Sequence, residues 1–378
     1  LNWIVRAIMR FGRKQFYLYS ILIVCCVSTV VLVSNNYAFY DRPIAKVIET
    51  KLESAKEETD IYQNKDKLFT QHITGELKNG PEKGELIYLT NTYSLSKAYD
   101  QAYEAGDELF VTIDKKREKG QALTGGIRDV KRDKYMAAAF WLFMFVLLGV
   151  GKKQGLFAVI SLVVNVILLT WAIEIYVQTD TNLLLLSGIL AVLFTVLSLL
   201  FVNGFNGKTY AAIVATLVGT IASLAITLIV MRLTLENGLR YEEMQFLTRP
   251  YKLVFIAGLF IGSLGAVMDV AITMSSSIFE LLEKDNNISI KALKTSGMDI
   301  GKDIMGTMTS ILFFAYISGS IPMLILYLNN ASPLGFTLSI NLSLELTRAL
   351  AGGIGIVLTI PIGLYTSIFF AKRKRAKS

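Results

Sequence analysis

Apolar runs long enough to cross a bilayer recur along this chain, and they constrain its fold more than any motif does. A hydrocarbon layer about 30 Å thick calls for roughly 20 mainly apolar residues in a helix, since lipid offers no partner to a free backbone amide. Such runs fall at residues 16–34, 136–150, 156–176, 183–202, 210–232, 253–282, 304–328 and 349–371. The expected class is an α-helical polytopic membrane protein with about eight transmembrane helices. A hydrophobic content of 53% and a mean hydropathy of +0.49 agree with it. The expected divisions are a basic segment and first anchor over 1–34, a small extracytoplasmic domain over 35–135, and a seven-helix membrane domain with a basic C-terminus over 136–378.

Charge sets the expected orientation. Arg6, Arg10, Arg13 and Lys14 precede the first run; Lys152 and Lys153 follow the second, and Lys208 the fourth. Lys284, Lys291 and Lys294 follow the sixth, and Lys372, Arg373, Lys374, Arg375 and Lys377 close the chain. All lie on one side of an eight-span path, so the positive-inside rule puts both termini in the cytoplasm. The net charge of +8 is mostly this signal plus a terminal cluster able to touch anionic lipid; it does not point to nucleic acid. The first run begins like a signal peptide, but Val33-Ser34-Asn35-Asn36 is a poor cleavage site, so an uncleaved anchor is expected. Cys25 and Cys26 are adjacent on one helix, which excludes a disulfide or a cysteine metal site within the chain.

Residues 35–135 read as a small, mainly β domain. Ile44, Val47, Ile48, Leu52 and Ala55 recur at helical spacing, predicting an amphipathic helix over 44–58. Strands are expected at 68–77, 85–91, 108–113 and 122–130, with turns at Gly80-Pro81 and Ala105-Gly106-Asp107. That pattern suggests a small barrel of the oligonucleotide-fold type, docking or gating over the membrane part. His72, the only histidine, has no second histidine or cysteine to complete a zinc site and reads as a strand residue.

The chemistry-bearing residues lie on three stripes. Gly258, Gly262, Gly265, Asp269, Thr273, Ser276 and Glu280 recur at spacings of three and four, which aligns them on one helix face. Asp299, Asp303, Gly306 and Ser310 share a second face, with Thr307 beside Asp303 and Lys302 nearby. Asn341, Glu345, Arg348, Gly352, Gly355, Thr359 and Gly363 form the third. Three such stripes predict a bundle in which they face inward. Glycines at this spacing are the ordinary means of packing membrane helices, and that is the reading for Gly258, Gly262, Gly265, Gly306, Gly352 and Gly355. Asp269 is different, because packing needs no charge and a carboxylate at mid-span is costly. Removal from water disfavours the charged form, so such a group can hold and release a proton. Thr273, Ser276, Asp303, Thr307 and Ser310 would extend a proton or cation path from it. Glu280, Asp299, Lys302, Glu345 and Arg348 are secondary candidates, the last two as an interfacial ion pair. Asn165 reads as an interhelical hydrogen-bonding residue.

Two segments carry a resemblance. Gly262-Ser263-Leu264-Gly265-Ala266-Val267-Met268-Asp269 and Ser296-Gly297-Met298-Asp299-Ile300-Gly301-Lys302-Asp303, with the closing Gly352-Gly353-Ile354-Gly355, resemble the YibE/F-like family of bacterial membrane proteins. The likeness covers the chain from about residue 136 and, more loosely, the domain before it. It implies a multispanning protein of a bacterial plasma membrane with a paired partner of the same family, and it implies no reaction. The order of elements around Asp269 also resembles that of the resistance–nodulation–division superfamily, which by analogy implies proton coupling there.

The leading expectation is a transporter or export component coupled to protons or cations through Asp269. The alternative is a non-transporting scaffold that binds a partner through its extracytoplasmic domain; an intramembrane hydrolase built on Asp269 and Asp303 comes third. No cofactor and no metal are expected. The expected partners are the lipid bilayer and a second copy or a paired relative.

Overall fold

The computed structural model describes residues 13–97, 100–114, 122–179, 181–244, 250–285 and 287–375, with backbone alone at 13–19 and 374–375. Arg6, Arg10 and Lys377 of the charge pattern lie outside the described residues. The chain divides into two compact units, Leu1–Val146 and Leu147–Ser378.

In the first unit, helix α1 (Arg13–Ser34) and a 3-10 turn at Asn36–Phe39 lead into five strands: β1 (Ile44–Thr59), β2 (Lys65–Leu77), β3 (Leu86–Ser94), β4 (Glu108–Ile113) and β5 (Leu123–Val130). They close a barrel in the order β1-β2-β3-β5-β4, with β3 and β5 parallel. Its core is Ala45, Val47, Ile73, Leu77, Ile87, Leu89, Leu109, Val111 and Leu123. Closure is tight enough that a β-carbon at Gly125 would strike the Thr112 carbonyl oxygen of β4.

The helix expected over 44–58 is strand β1 instead. Register shifts between Val47 and Glu49 and between Leu52 and Ser54 break its pairing with β2. Each irregularity disturbs strict alternation, and the residual spacing of apolar residues mimics a helical one. Only Ile44, Ala45 and Val47 enter the core; Ile48 and Leu52 stand exposed on a long two-stranded arm.

A buried lysine fastens this unit. Lys131 is 2% exposed, and its ammonium lies 3.1 Å from the Glu108 carboxylate and 3.5 Å from that of Asp133. It also donates to the Val33 carbonyl at 2.9 Å. Tyr37 donates to Glu108 at 2.7 Å, and Tyr40 and Asn36 donate to Asp133. Burial, then the Glu108 hydrogen bond and charge, push the Tyr37 hydroxyl up to about 12. The Asn79 amide donates to the carbonyls of Tyr37, Tyr40 and Arg42 and accepts from the Ile44 amide. A buried charge is tolerated only with such complete partnering.

Helix α2 (Asp133–Thr179) begins in the first unit and continues into the second. At Lys152 its backbone leaves helical geometry (φ 49°, ψ −120°). Just beyond, a β-carbon on Gly155 would strike the Leu147 carbonyl oxygen, so the chain turns sharply between these residues. Helices α3 (Leu183–Asn203), α4 (Gly207–Leu233), α5 (Tyr251–Lys284), α6 (Ile290–Ser318), α7 (Ile321–Asn329) and α8 (Leu334–Arg375) follow. Among the described residues, five helices are long and apolar enough to cross a membrane, or six if α6 and α7, bent by 48°, form one span. The expected count of eight does not emerge by that measure. The runs at 136–150 and 156–176 merge in α2, and among the described residues Ser20–Ser34 of α1 is a shorter apolar helix.

Two expectations fail near α6. The run Lys291-Ala292-Leu293-Lys294, whose sequence suggests a short amphipathic helix at the interface, is instead the start of α6: Ser289 caps it by accepting from the Ala292 amide, and the helix runs on unbroken. The single span over 304–328 is broken at Ser320, because Pro322 starts a new helix in its first turn.

The bundle core is built from α4, α5 and α8, with α6 laid along α8. Bulky residues of one helix sit over glycines of the next. Val267 of α5 fills the space that a side chain at Gly355 of α8 would need, and Thr359 of α8 the space at Gly219 of α4. Leu312 of α6 does the same at Gly352, and Ile360 of α8 at Gly301. Lipid supplies no hydrophobic drive between helices, so this close packing is what holds them.

Candidate functional site

At the end of the bundle where α4 joins α5, the linking segment is fastened onto α8. The Arg240 amide donates to the Ser343 hydroxyl at 3.0 Å, and its guanidinium reaches Ser339 at 3.4 Å. Tyr241 packs edge-on against Phe255, which is fully buried, and donates to Glu236; Glu236 in turn pairs with Lys252. These contacts bring the 3-10 turn Tyr241–Glu243 onto α8.

There Glu243 meets Glu345 and Arg348. Arg348 donates to Glu345 one turn away, and its guanidinium lies 5.3 Å from the centre of the Phe255 ring. One oxygen of the Glu243 carboxylate is buried with no hydrogen-bond partner. Burial, and then the charge of Glu345, raise this carboxyl from 4.5 to about 7, against the opposing pull of Arg348. The group therefore changes charge near neutral pH. A cavity of about 290 Å³ opens beside it, lined by Glu243, Ala315, Tyr316, Gly319, Ser320, Met323 and Glu345. The α6–α7 bend supplies its floor, so the break at Pro322 shapes the site.

Sequence reasoning reached Glu345 and Arg348 but not Glu243, Tyr316 or Ser320. Glu243 lies about a hundred residues from Glu345 and Arg348, in a loop between two apolar runs that carries charges of both signs. Adjacent Glu242 is exposed, and nothing in Tyr241-Glu242-Glu243 marks which of the two turns inward.

The three small-polar stripes divide. That of α8 faces inward: Gly352, Gly355, Thr359 and Gly363 are buried, as is Asn341. The stripe on α5 faces outward. Gly258, Gly262, Gly265, Asp269 and Glu280 are exposed, and Thr273 and Ser276 half-buried. The opposite face of α5, carrying Phe255, Leu259, Val267, Val270, Met274 and Ile278, takes the core position because Val267 and Met274 fill the gaps over Gly355 and Gly363 of α8. On α6, Asp299, Lys302, Asp303, Gly306, Thr307 and Ser310 are likewise exposed. The expected convergence of all three stripes is thus not found within one chain.

Helix α6 runs antiparallel to α5, with Tyr316 beside Gly262 and Gly297 beside Ile278. Asp269 and Thr307 fall midway between those contacts and so at similar height. The Thr273 hydroxyl donates to the Asp269 backbone carbonyl at 2.8 Å, and that of Ser310 to Gly306 at 2.9 Å. Glu280 pairs with Lys284, and Asp299 with Lys302. Among the described residues the Asp269 carboxylate has no ion pair or hydrogen bond. Asn165 hydrogen-bonds Ser198 between α2 and α3 at 2.7 Å, and His72 faces Glu53 on the barrel arm.

The YibE/F-like protein family matches residues 139–373, and the YibE/F family N-terminal domain matches residues 38–130. No curated protein matches the chain, and no solved structure does.

Proposed function

The chain belongs to the YibE/F-like family, and from that premise we propose that it is a membrane transporter or export component driven by proton or cation movement at Asp269. One observation supports this above all: Asp269 is a carboxylate on an apolar helix, and among the described residues nothing pairs with its charge. Such a group costs about 2.5–3.5 kcal/mol at a helix centre on insertion scales. Its presence on a face of Gly, Thr and Ser argues for a path lined by water or protein rather than by acyl chains. In this reading the exposed faces of α5 and α6 meet a second copy or a paired relative. Thr273, Ser276, Asp303, Thr307 and Ser310 then continue the path from Asp269. The barrel, within 35–135, stands outside a bacterial plasma membrane and both termini stand inside, following the basic residues. Eight crossings follow if α1 and both limbs of α2 span.

The test is reconstitution of the parent chain, Asp269→Asn and Asp269→Glu in liposomes, matched for folding and assembly. The proposal expects ion-dependent flux from the parent, none from Asp269→Asn and partial recovery with Asp269→Glu. Equal flux from all three removes Asp269 from the mechanism.

A scaffold is the second reading, and one observation favours it. β-Carbons at Gly258, Gly265 and Gly306 would meet nothing within 4 Å among the described residues, which leaves their faces free to pack against another chain. Full function in cells from Asp269→Asn, with lost assembly from Gly265→Leu, would support this alternative.

A further inference from the structure

We infer that the cavity between the α4–α5 segment, the α6–α7 bend and α8 is a binding site for a small organic monocation, a primary amine whose ammonium group lies between Glu243 and Glu345. The inference goes beyond the role proposed for Asp269 and does not depend on it.

Charge selects the ligand class. Two carboxylates and one guanidinium leave a single negative charge, and Arg348 is already committed to Glu345. Glu243 is the uncompensated partner, with one oxygen buried and unbonded. Ser320 is an independent pointer to a ligand. It is 6% exposed and lines the cavity, yet its hydroxyl caps neither helix at the bend where it sits. With the Glu243 and Glu345 carboxylates it makes up a set of oxygens suited to the three donors of an ammonium group.

The remaining walls select against a bare metal ion, which wants oxygens converging from all sides. Met323, Ala315 and Gly319 form an apolar side that fits a short carbon chain. A volume of about 290 Å³ is at the small end of ligand pockets, which limits the guest to a few carbons.

Proton and amine compete for the same carboxylate. The charged or titratable groups around Glu243 are Glu345 and Arg348 on α8, Tyr316 on α6, and Arg240, Tyr241 and Glu242 beside it in the chain. Helix α7 contributes none of either sign. Glu243 loses its proton at about pH 7, so amine affinity rises with pH up to that point and levels above it.

Butylammonium binding to the full chain in detergent, read by calorimetry at pH 5.5, 7 and 8.5, tests this. The expected result is binding at pH 8.5 that weakens by about tenfold per unit below pH 7. Glu243→Gln should lose at least about tenfold in affinity, as should Met323→Trp, which fills the cavity and leaves every charge in place. Glu242→Gln, an exposed neighbour, should bind like the parent. Should Glu243→Gln fail to fold, Met323→Trp decides. Absence of binding at pH 8.5, undiminished binding by either variant, or equal competition by sodium at matched concentration would overturn the inference.

Discussion

The Tyr316 hydroxyl of α6 occupies the space where a β-carbon at Gly262 of α5 would stand. Position 262 lies on the exposed stripe of α5, and Tyr316 lines the Glu243 cavity, so this contact links the two features that carry chemistry. A tyrosine hydroxyl is the far end of a side chain that can swing. Gly262→Ala should therefore cost little stability, about 1 kcal/mol or less, while displacing Tyr316. The observable is butylammonium affinity, expected to fall while the melting temperature in detergent barely changes.

Other glycines should behave oppositely, according to what faces them. A methyl at Gly301 would run into the branched side chain of Ile360 in the core, and Gly301→Ala should destabilise by about 1–3 kcal/mol. A methyl at Gly306 meets nothing within 4 Å among the described residues. Gly306→Ala should leave monomer stability unchanged or raise it by up to about 1 kcal/mol, from helix propensity. Thermal melting of both variants in one detergent checks the contrast, and a large loss from Gly306→Ala would show that a second chain covers that face.

Glu243 makes stability depend on pH with a definite sign. Its carboxyl binds its proton more tightly folded, near 7, than unfolded, near 4.5, so the native state holds more protons over that interval. Stability must then fall as pH rises from about 4.5 to 7 and stay level above. Melting curves should move to lower temperature across that window, and Glu243→Gln should flatten the trend. A rise in stability over the same window in the parent, lost in Glu243→Gln, would reverse the assignment.

The Lys131 network predicts a sharp difference between buried and exposed charges. Lys131→Ala strands the nearly buried Glu108 carboxylate and should cost about 3–5 kcal/mol. Lys56→Ala breaks a pair whose side chains are 76% and 47% exposed and should cost less than about 1 kcal/mol. Limited proteolysis of the barrel in the full-length protein reads the difference.

What the residues revealed in advance follows from how local each signal is. The strands β2 to β5 and the apolar helices were legible because alternation and long runs are written within a few turns of chain. Strand β1 was not, since its irregular register counterfeits helical spacing. The stripe on α8 faces inward, and those on α5 and α6 face outward. Periodicity identifies a face, but which face is covered depends on whether a neighbour brings glycines, as Gly355 does for Val267. The Glu243 cluster and the Lys131 network join residues far apart in sequence, and only the folded chain brings them together.

The proposed coupling role requires that the face carrying Asp269 touch water and not acyl chains. Cysteines at Gly265 and Thr273, in a chain with Cys25 and Cys26 replaced by serine, flank Asp269 by one turn each way. Leu350 on α8, 67% exposed, serves as the lipid-facing comparison. In native membranes, a charged, water-soluble thiol reagent should modify the cysteines at 265 and 273 and leave that at 350 untouched. Reaction at 265 and 273 no faster than at 350 would contradict the account.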